Sequence, residues 1–148
     1  MTEVLVGGTE AGNANGPAQS SEFNITASFV QLDSSTLLIS DQGNRCIRKF
    51  DRFSKQVSEY AGSCDPTQRF YSRASYKPWE AFNSPGRMLL VDNQVVILDR
   101  VGSDSLIVSK DLNSGLVNTI WDVGSDATDF VYEPTYKSYI VAERVGVL

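Results

Sequence analysis

Residues 37–62 contain three short β-type runs separated by two turns, and this pattern constrains the fold more than any other part of the chain. Residues 37–39 form an uninterrupted apolar run, as in a strand buried on both faces. The Asp-Gln-Gly-Asn sequence that follows is typical of a turn, because Gly accepts positive φ and Asp and Asn side chains bond to nearby backbone. Residues 46–50 form a second run, and residues 57–61 alternate apolar and polar residues like a strand with one solvent-exposed face. The segment therefore predicts three short strands joined by turns.

Two later parts of the chain repeat the apolar run and its acidic end. Residues 95–100 end in Asp-Arg, and residues 139–144 end in Glu-Arg. The acidic residues of the three runs, Asp41, Asp99 and Glu143, follow one another at unequal intervals. Such spacing fits a repeat of roughly 40–50 residues with insertions. The chain is therefore expected to repeat one β unit.

The first unit, a strand followed by Asp-x-x-Asn-Arg-x-Ile-Arg-x-Phe and then a strand ending in Ala-Gly, resembles an NHL repeat, the blade of one group of β-propellers. The resemblance implies an all-β fold, a partial β-propeller of about two and a half four-stranded blades. Residues 28–62 and 87–123 would each form a blade, and residues 128–148 an incomplete one. Residues 3–8 would be the outer strand of a preceding or shared blade.

The number of blades bears on completeness, because propellers commonly have 4–8 blades. We therefore expect this chain to be part of a longer protein or half of a two-chain ring. An unfinished blade would expose unpaired backbone N–H and C=O groups that can pair with another chain. We expect residues 3–8 and 139–148 to find such β partners.

Charge and composition exclude several functions. The net charge is −5, from 18 acidic and 13 basic residues, so a basic nucleic-acid surface is not expected. The chain has no histidine, which removes imidazole zinc sites and histidine-assisted nucleophiles. No apolar run approaches the roughly 20 residues that a membrane-spanning helix needs. We predict no catalytic residues, no metal and no cofactor.

The two cysteines, Cys46 and Cys64, could form a disulfide after a local bend, or could remain free thiols. Asn24 begins an Asn-Ile-Thr glycosylation sequon. An even cysteine count together with a sequon favours an extracellular location, with the cytoplasm as the alternative.

The resemblance places the polar residues that follow the second strand of each unit on one face, near the central channel of a propeller. They could bind a polar ligand or partner, because loops on rigid scaffolds often carry function. Alternatively, they could cap turns and pair with one another. These residues are Asp41, Asn44, Arg45, Asp99, Arg100, Glu143 and Arg144.

The link at residues 65–81 interleaves basic and aromatic residues, a composition that suits stacking and protein interfaces. The alternative is that its aromatic rings fold down onto the edge of a blade. The candidate contact residues here are Arg69, Tyr71, Arg73, Tyr76 and Trp79.

Three carboxylates, Asp122, Asp126 and Asp129, could supply oxygen ligands to calcium, but their spacing is not that of an EF-hand loop. A solvated turn is therefore the favoured interpretation.

Together these features predict a non-enzymatic structural or interaction module, extracellular, that assembles with other chains or with further blades of its own protein. One alternative is an intracellular NHL-type module that binds protein or RNA. Another is a propeller-based enzyme that works without histidine, which would need an isolated carboxylate with a perturbed pKa in a deep pocket.

Overall fold

The computed structural model describes residues 5–65, 67, 71–78 and 80–144, and only the backbone of Arg73. These residues form eleven strands and three short 3₁₀ turns, at Ala18–Ser20, Gln42–Asn44 and Arg73–Ser75. The predicted all-β class is confirmed. In chain order the strands are β1 Gly16–Pro17, β2 Thr26–Gln31, β3 Thr36–Asp41, β4 Cys46–Asp51, β5 Gln56–Ala61, β6 Pro85–Val91, β7 Gln94–Val101, β8 Asp104–Asp111, β9 Val117–Asp122, β10 Ala127–Glu133 and β11 Ser138–Glu143.

The strands form three antiparallel sheets in which chain neighbours are also sheet neighbours, except that β1 pairs with β5 rather than with β2. The first sheet has the order β1-β5-β4-β3-β2, the second β6-β7-β8-β9, and the third consists of β10 and β11. Within the described part of the chain, none of the helical turns is long and apolar enough to cross a membrane.

Aspartates close several of the turns between strands. Asp51 Oδ1 accepts hydrogen bonds from the N–H groups of Phe53 and Ser54, both at 2.9 Å. Asp111 makes the same arrangement one sheet later, with Asn113 N at 3.0 Å and Ser114 N at 2.8 Å. Because such side-chain bonds mimic a backbone turn, they fix the hairpins locally.

The sheets pack face to face through apolar cores. The largest core lies between the first and second sheets, and its fully buried side chains include Leu38, Ile47, Phe82, Val95, Ile97 and Val108. A second core joins the other face of the β6–β9 sheet to the β10–β11 sheet, around Val96, Ile107 and Phe130. Burying each such side chain contributes about 1.5–3 kcal/mol.

The segment that precedes β1 corrects the prediction of an outer strand at residues 3–8. Residues 5–8 do not form a strand, and residues 3 and 4 lie outside the described residues. Gly7 has a φ of 107°, and its N–H donates to Ala18 O at 2.9 Å, while Gly8 N donates to Ser21 O at 2.7 Å. Val6 packs onto the free face of the first sheet beside Ile39 and Phe50. The apolar character of this segment therefore serves to cover a sheet face rather than to pair with a strand.

The third sheet lies in the segment predicted as an incomplete blade, residues 128–148. Two strands, β10 and β11, are described, and residues 145–148 lie outside the described part.

A disulfide joins Cys46, at the start of β4, to Cys64, just beyond β5, with the two Cα atoms 5.2 Å apart. Both cysteines are buried. Gly62, with a φ of 72°, provides the bend that brings Cys64 back over the sheet, and the Asn13 amide donates to Cys64 O at 2.9 Å.

Candidate functional site

Asp41, at the end of β3, is fully buried and holds together three parts of the chain. Its Oδ1 accepts a hydrogen bond from Asn24 N at 2.8 Å, which ties down the entry to β2. Its Oδ2 accepts one from the Asn44 amide at 2.8 Å and one from Arg48 Nη1 at 3.0 Å. The carboxylate is therefore satisfied from within the fold.

Arg48, on β4, is also fully buried and neutralises Asp41. Its remaining donors reach Asn15 Oδ1 at 3.1 Å, Glu22 O at 3.2 Å and Ala14 O at 2.8 Å. The guanidinium thus fastens the segment that precedes β2 to the sheet. A guanidinium suits this task because its fixed planar donors can serve several acceptors at once.

Asp99, at the corresponding end of β7, repeats the role of Asp41 in the second sheet. Its Oδ2 accepts hydrogen bonds from Asn83 N at 2.9 Å and from the Tyr76 hydroxyl at 2.6 Å. Its Oδ1 accepts one from Ser84 N at 2.6 Å. Asn24 and Asn83 each follow a phenylalanine and precede the strand at the inner edge of their sheet, β2 or β6. Asp41 and Asp99 therefore accept equivalent backbone hydrogen bonds in the first and second sheets.

Burial raises the pKa of Asp99 to about 6, although the hydrogen bonds from Tyr76, Asn83 and Ser84 and the charge of Arg45 oppose the shift. Burial, together with the negative charge of Asp99, also raises the pKa of Tyr76. The pKa of Arg45 is lowered, mainly by burial. Both oxygens of Asp99 are occupied by these hydrogen bonds from within the fold.

The predicted polar face therefore separates into two groups. Asp41, Asn44 and Asp99 do not present a binding surface, because they are buried and bonded within the fold. Arg45 is likewise buried, and its Nε donates to Phe82 O at 3.2 Å. Arg100, Glu143 and Arg144 are exposed.

The third sheet has no buried carboxylate at the position that corresponds to Asp41 and Asp99. Glu143 lies opposite Ala127 in the β10–β11 register but is exposed. The entry to β10 is held instead by backbone, since Arg144 N donates to Asp126 O at 2.7 Å.

The link at residues 65–81 is anchored to the second sheet through the residues that the structure describes. Tyr71 N donates to Asn83 Oδ1 at 2.8 Å, and the Asn83 amide donates back to Tyr71 O at 2.5 Å. The Tyr71 hydroxyl donates to Glu80 at 2.8 Å. Tyr76 packs against the main core as well as bonding to Asp99, so this predicted contact residue is a structural anchor. Arg69, Trp79 and the Arg73 side chain lie outside the described residues.

Asn24, the predicted glycosylation site, is partly exposed. Its backbone O accepts a hydrogen bond from Gly43 N at 2.6 Å, and its side chain lies directly over Gly43. A Cβ at position 43 would collide with Asn24, which explains why the turn needs glycine at that point.

An open groove of about 280 Å³ lies where the three sheets meet. We call it the three-sheet groove. Its walls come from the 3₁₀ turn after β3, the start of β6, the end of β7, the start of β10 and the end of β11. The polar side chains that line it are Gln42, Ser84, Arg87, Arg100, Asp126, Thr128 and Arg144.

Sequence patterns indicated only Arg100 and Arg144 as ligand-binding candidates among these seven. Gln42 belongs to the turn motif, but nothing in the sequence shows that it faces the second sheet. Arg87 lies in a predicted strand, and its charge within an apolar run was the one sequence feature that could have indicated a functional role. In the same way, Arg48 was part of the quoted motif without being recognised as the partner of Asp41.

The carboxylates considered for calcium take separate partners. Asp126 pairs with Arg100, and Asp129 lies 3.5 Å from Arg87 Nε. Among residues 5–65, 67, 71–78 and 80–144, no group of three or more histidine, cysteine or acidic side chains is placed to hold a metal ion.

Comparison with known proteins gives one structural neighbour to report. No protein-family model matches the sequence, and no curated protein matches it. The chain is similar to a structural-genomics protein of unknown function from Bacteroides thetaiotaomicron VPI-5482, with 14% identity and a TM-score of 0.48. The match covers 93% of this chain and 44% of that one, so this chain spans less than half the length of the neighbour.

Proposed function

We propose that the chain is a non-enzymatic interaction module, part of a β-propeller with NHL-like blades, which assembles by adding β structure to the β10–β11 sheet. Its partner is protein, and we assign it to a second copy of this chain. Four features support the proposal: the repeated sheets, an uncovered apolar face, an open strand edge and a complementary hollow at the opposite end.

The repeated sheets support a propeller. Strands β2–β5 and β6–β9 are each four-stranded antiparallel meanders, as propeller blades are. The first strands of successive sheets, β2, β6 and β10, lie next to one another, as inner strands around a channel would. Asp41 and Asp99 tie corresponding strand entries in both meanders.

The uncovered face of the third sheet is the observation that carries the proposal. One face of β10–β11 packs through Phe130 and Val141 onto the second sheet. On the other face Val131 and Ile140 lie opposite each other in the register and are 46% and 58% exposed. Elsewhere in this fold, such a face is covered by the next sheet or by the N-terminal segment. An apolar pair in that position is therefore suited to a further sheet.

The open edge of β11 supports the same conclusion. Among the described residues, β11 (Ser138–Glu143) pairs with β10 alone. A two-stranded sheet is marginally stable by itself, and a strand edge offers unpaired N–H and C=O groups to an added strand. Strand addition is an established mode of protein association.

A complementary surface lies at the other end of the stacked sheets. There Phe29 is 58% exposed beside an apolar hollow of about 260 Å³ lined by Val6, Phe23 and Ile39. The hollow offers a second copy an apolar seat for Val131 and Ile140. Head-to-tail contact of this kind generates a closed ring when the rotation between copies permits.

Charge, the disulfide and the sequon favour an extracellular protein-binding role over nucleic-acid binding. The net charge of −5 repels phosphate backbones. Disulfides persist in oxidising compartments, and the first sheet carries both the Cys46–Cys64 bond and, at the entry to β2, the sequon at Asn24.

The oligomeric state of two matched variants tests this function. Ile140→Lys places a charge on the uncovered face, whereas Phe53→Lys makes a similar change at a turn of the first sheet, where Phe53 is 84% exposed. In light scattering the wild type and Phe53→Lys should associate as concentration rises, and Ile140→Lys should remain monomeric. A monomeric wild type, or association of Ile140→Lys equal to that of Phe53→Lys, would contradict the proposal.

A further inference from the structure

The three-sheet groove concentrates positive charge in an acidic protein. Arg87, Arg100 and Arg144 line it, and Asp126 is the carboxylate that shares the lining, within a chain of net charge −5. The three arginines come from three different strand ends, so the fold rather than a run of sequence brings them together.

The contacts with neighbouring carboxylates leave some N–H donors of these arginines available to a ligand. Arg100 pairs with Asp126, and Arg87 Nε lies 3.5 Å from Asp129 Oδ1. Both arginine side chains nevertheless remain 47% exposed. A guanidinium carries five N–H donors in a planar fork, so one carboxylate contact leaves further donors for a ligand.

The neutral side chains and the volume of the three-sheet groove limit which ligands it can hold. Gly86 also lines the groove, where an added Cβ would lie at ordinary contact distance, 3.6 Å from Leu98 O and 3.9 Å from the Gln42 amide nitrogen. Gln42, Ser84 and Thr128 line the open space as neutral polar groups. The volume of about 280 Å³ lies just below the range of about 300–1,000 Å³ typical of pockets for drug-sized molecules.

We propose that the three-sheet groove binds a small oxyanion, a carboxylate or a phosphate group, between Arg87, Arg100 and Arg144. Arginine forks match the paired oxygens of both groups, which makes them suited to this ligand class. The site lies where the sheets meet and not on the exposed Val131–Ile140 face, so it does not depend on the proposed assembly.

Binding is tested by NMR on uniformly ¹⁵N-labelled protein, following the arginine Nε–Hε signals. One titration uses inorganic phosphate and a parallel one uses succinate, with ionic strength held constant by sodium chloride. Saturable shifts of the Arg87, Arg100 and Arg144 signals in either titration are the expected result. The anion that saturates them at the lower concentration identifies the preferred group. No saturable shift with either anion overturns the proposal.

Two charge-matched variants separate a built site from general attraction. Arg144→Gln should weaken binding about tenfold, whereas Arg52→Gln, which removes an exposed charge from the β4–β5 turn, should leave it unchanged. Asp126→Asn should tighten binding, because it removes the negative charge that competes for Arg100. Equal weakening by Arg144→Gln and Arg52→Gln, or weaker binding in Asp126→Asn, would show that the arginines serve only as ion pairs between the sheets.

Discussion

The Tyr76 hydroxyl donates a 2.6 Å hydrogen bond to the buried carboxylate of Asp99 and so fastens the link between the first two sheets to the end of β7. The partners are 23 residues apart in sequence. The same carboxylate also accepts the N–H groups of Asn83 and Ser84. A single buried charge therefore orders both the link and the entry to β6.

Replacing Tyr76 by Phe removes this bond while keeping the ring in the core. A hydrogen bond to a charged group contributes about 1.5–3 kcal/mol, so we expect the free energy of unfolding to fall by that amount in urea denaturation at neutral pH. Tyr136→Phe is the control, since Tyr136 is 80% exposed on the β10–β11 turn. Equal stability of the two variants would show that the Tyr76 hydroxyl contributes nothing.

The titration of Asp99 should make the free energy of unfolding depend on pH. Its folded pKa of about 6 lies above the ordinary value of 3.8, so between these values the folded state binds more protons than the unfolded state. Its contribution to the free energy of unfolding therefore increases as pH falls from 7 through 6 towards 4, by on the order of 2 kcal/mol.

Asp99→Asn isolates this effect, because the other titrating groups are common to both proteins. Urea denaturation at several pH values should show the wild type gaining stability relative to Asp99→Asn as pH falls. Several other carboxylates, including the half-buried Asp51 and Asp111, have pKa values lowered by hydrogen bonds and act in the opposite direction, so the difference between the proteins must be measured. Parallel stability curves would contradict the assignment.

The Asp41–Arg48 pair offers a second buried charge to test. Arg48→Met leaves the Asp41 carboxylate buried without its cation and also removes the bonds to Asn15 and Glu22. Breaking a buried ion pair costs about 3–5 kcal/mol. We expect a loss of this size in chemical denaturation, against little change for Arg52→Met at an exposed position. A loss below 1 kcal/mol, by the range usual for exposed pairs, would indicate that Arg48 is solvated instead.

Local sequence patterns predicted the sheets because strand periodicity and turn chemistry are local properties. The apolar run at residues 37–39 lies in β3, and the turn sequence after it forms a 3₁₀ turn at Gln42–Asn44. The same reasoning was wrong at residues 5–8, where Gly7 and Gly8 bond to the segment at residues 18–21. Residues that favour β-strands can equally make apolar contacts outside a strand. Which of the two forms depends on the part of the chain that they meet in the fold.

The site was harder to predict because it depends on convergence in space. Nothing near Tyr76 in the sequence shows that its hydroxyl reaches Asp99. The aromatic and basic composition of the link at residues 65–81 therefore suggested that Tyr76 lies at an interface. Arg87 and Arg100 come to line the same groove only when β6 and β7 are placed beside β10. Paired acidic residues at equivalent strand ends, such as Asp41 and Asp99, were visible as a repeat, whereas their burial was not.

We propose that β11 accepts a further strand, and hydrogen–deuterium exchange of its backbone amides is the sharpest test of this. In an antiparallel pair, part of the N–H groups of β11 point away from β10 and should exchange rapidly in the monomer. Exchange of residues 139–143 is followed by mass spectrometry across protein concentration, in the wild type and in Ile140→Lys. These amides should become protected as concentration rises in the wild type only. Exchange that is independent of concentration, or equal in both proteins, would contradict it.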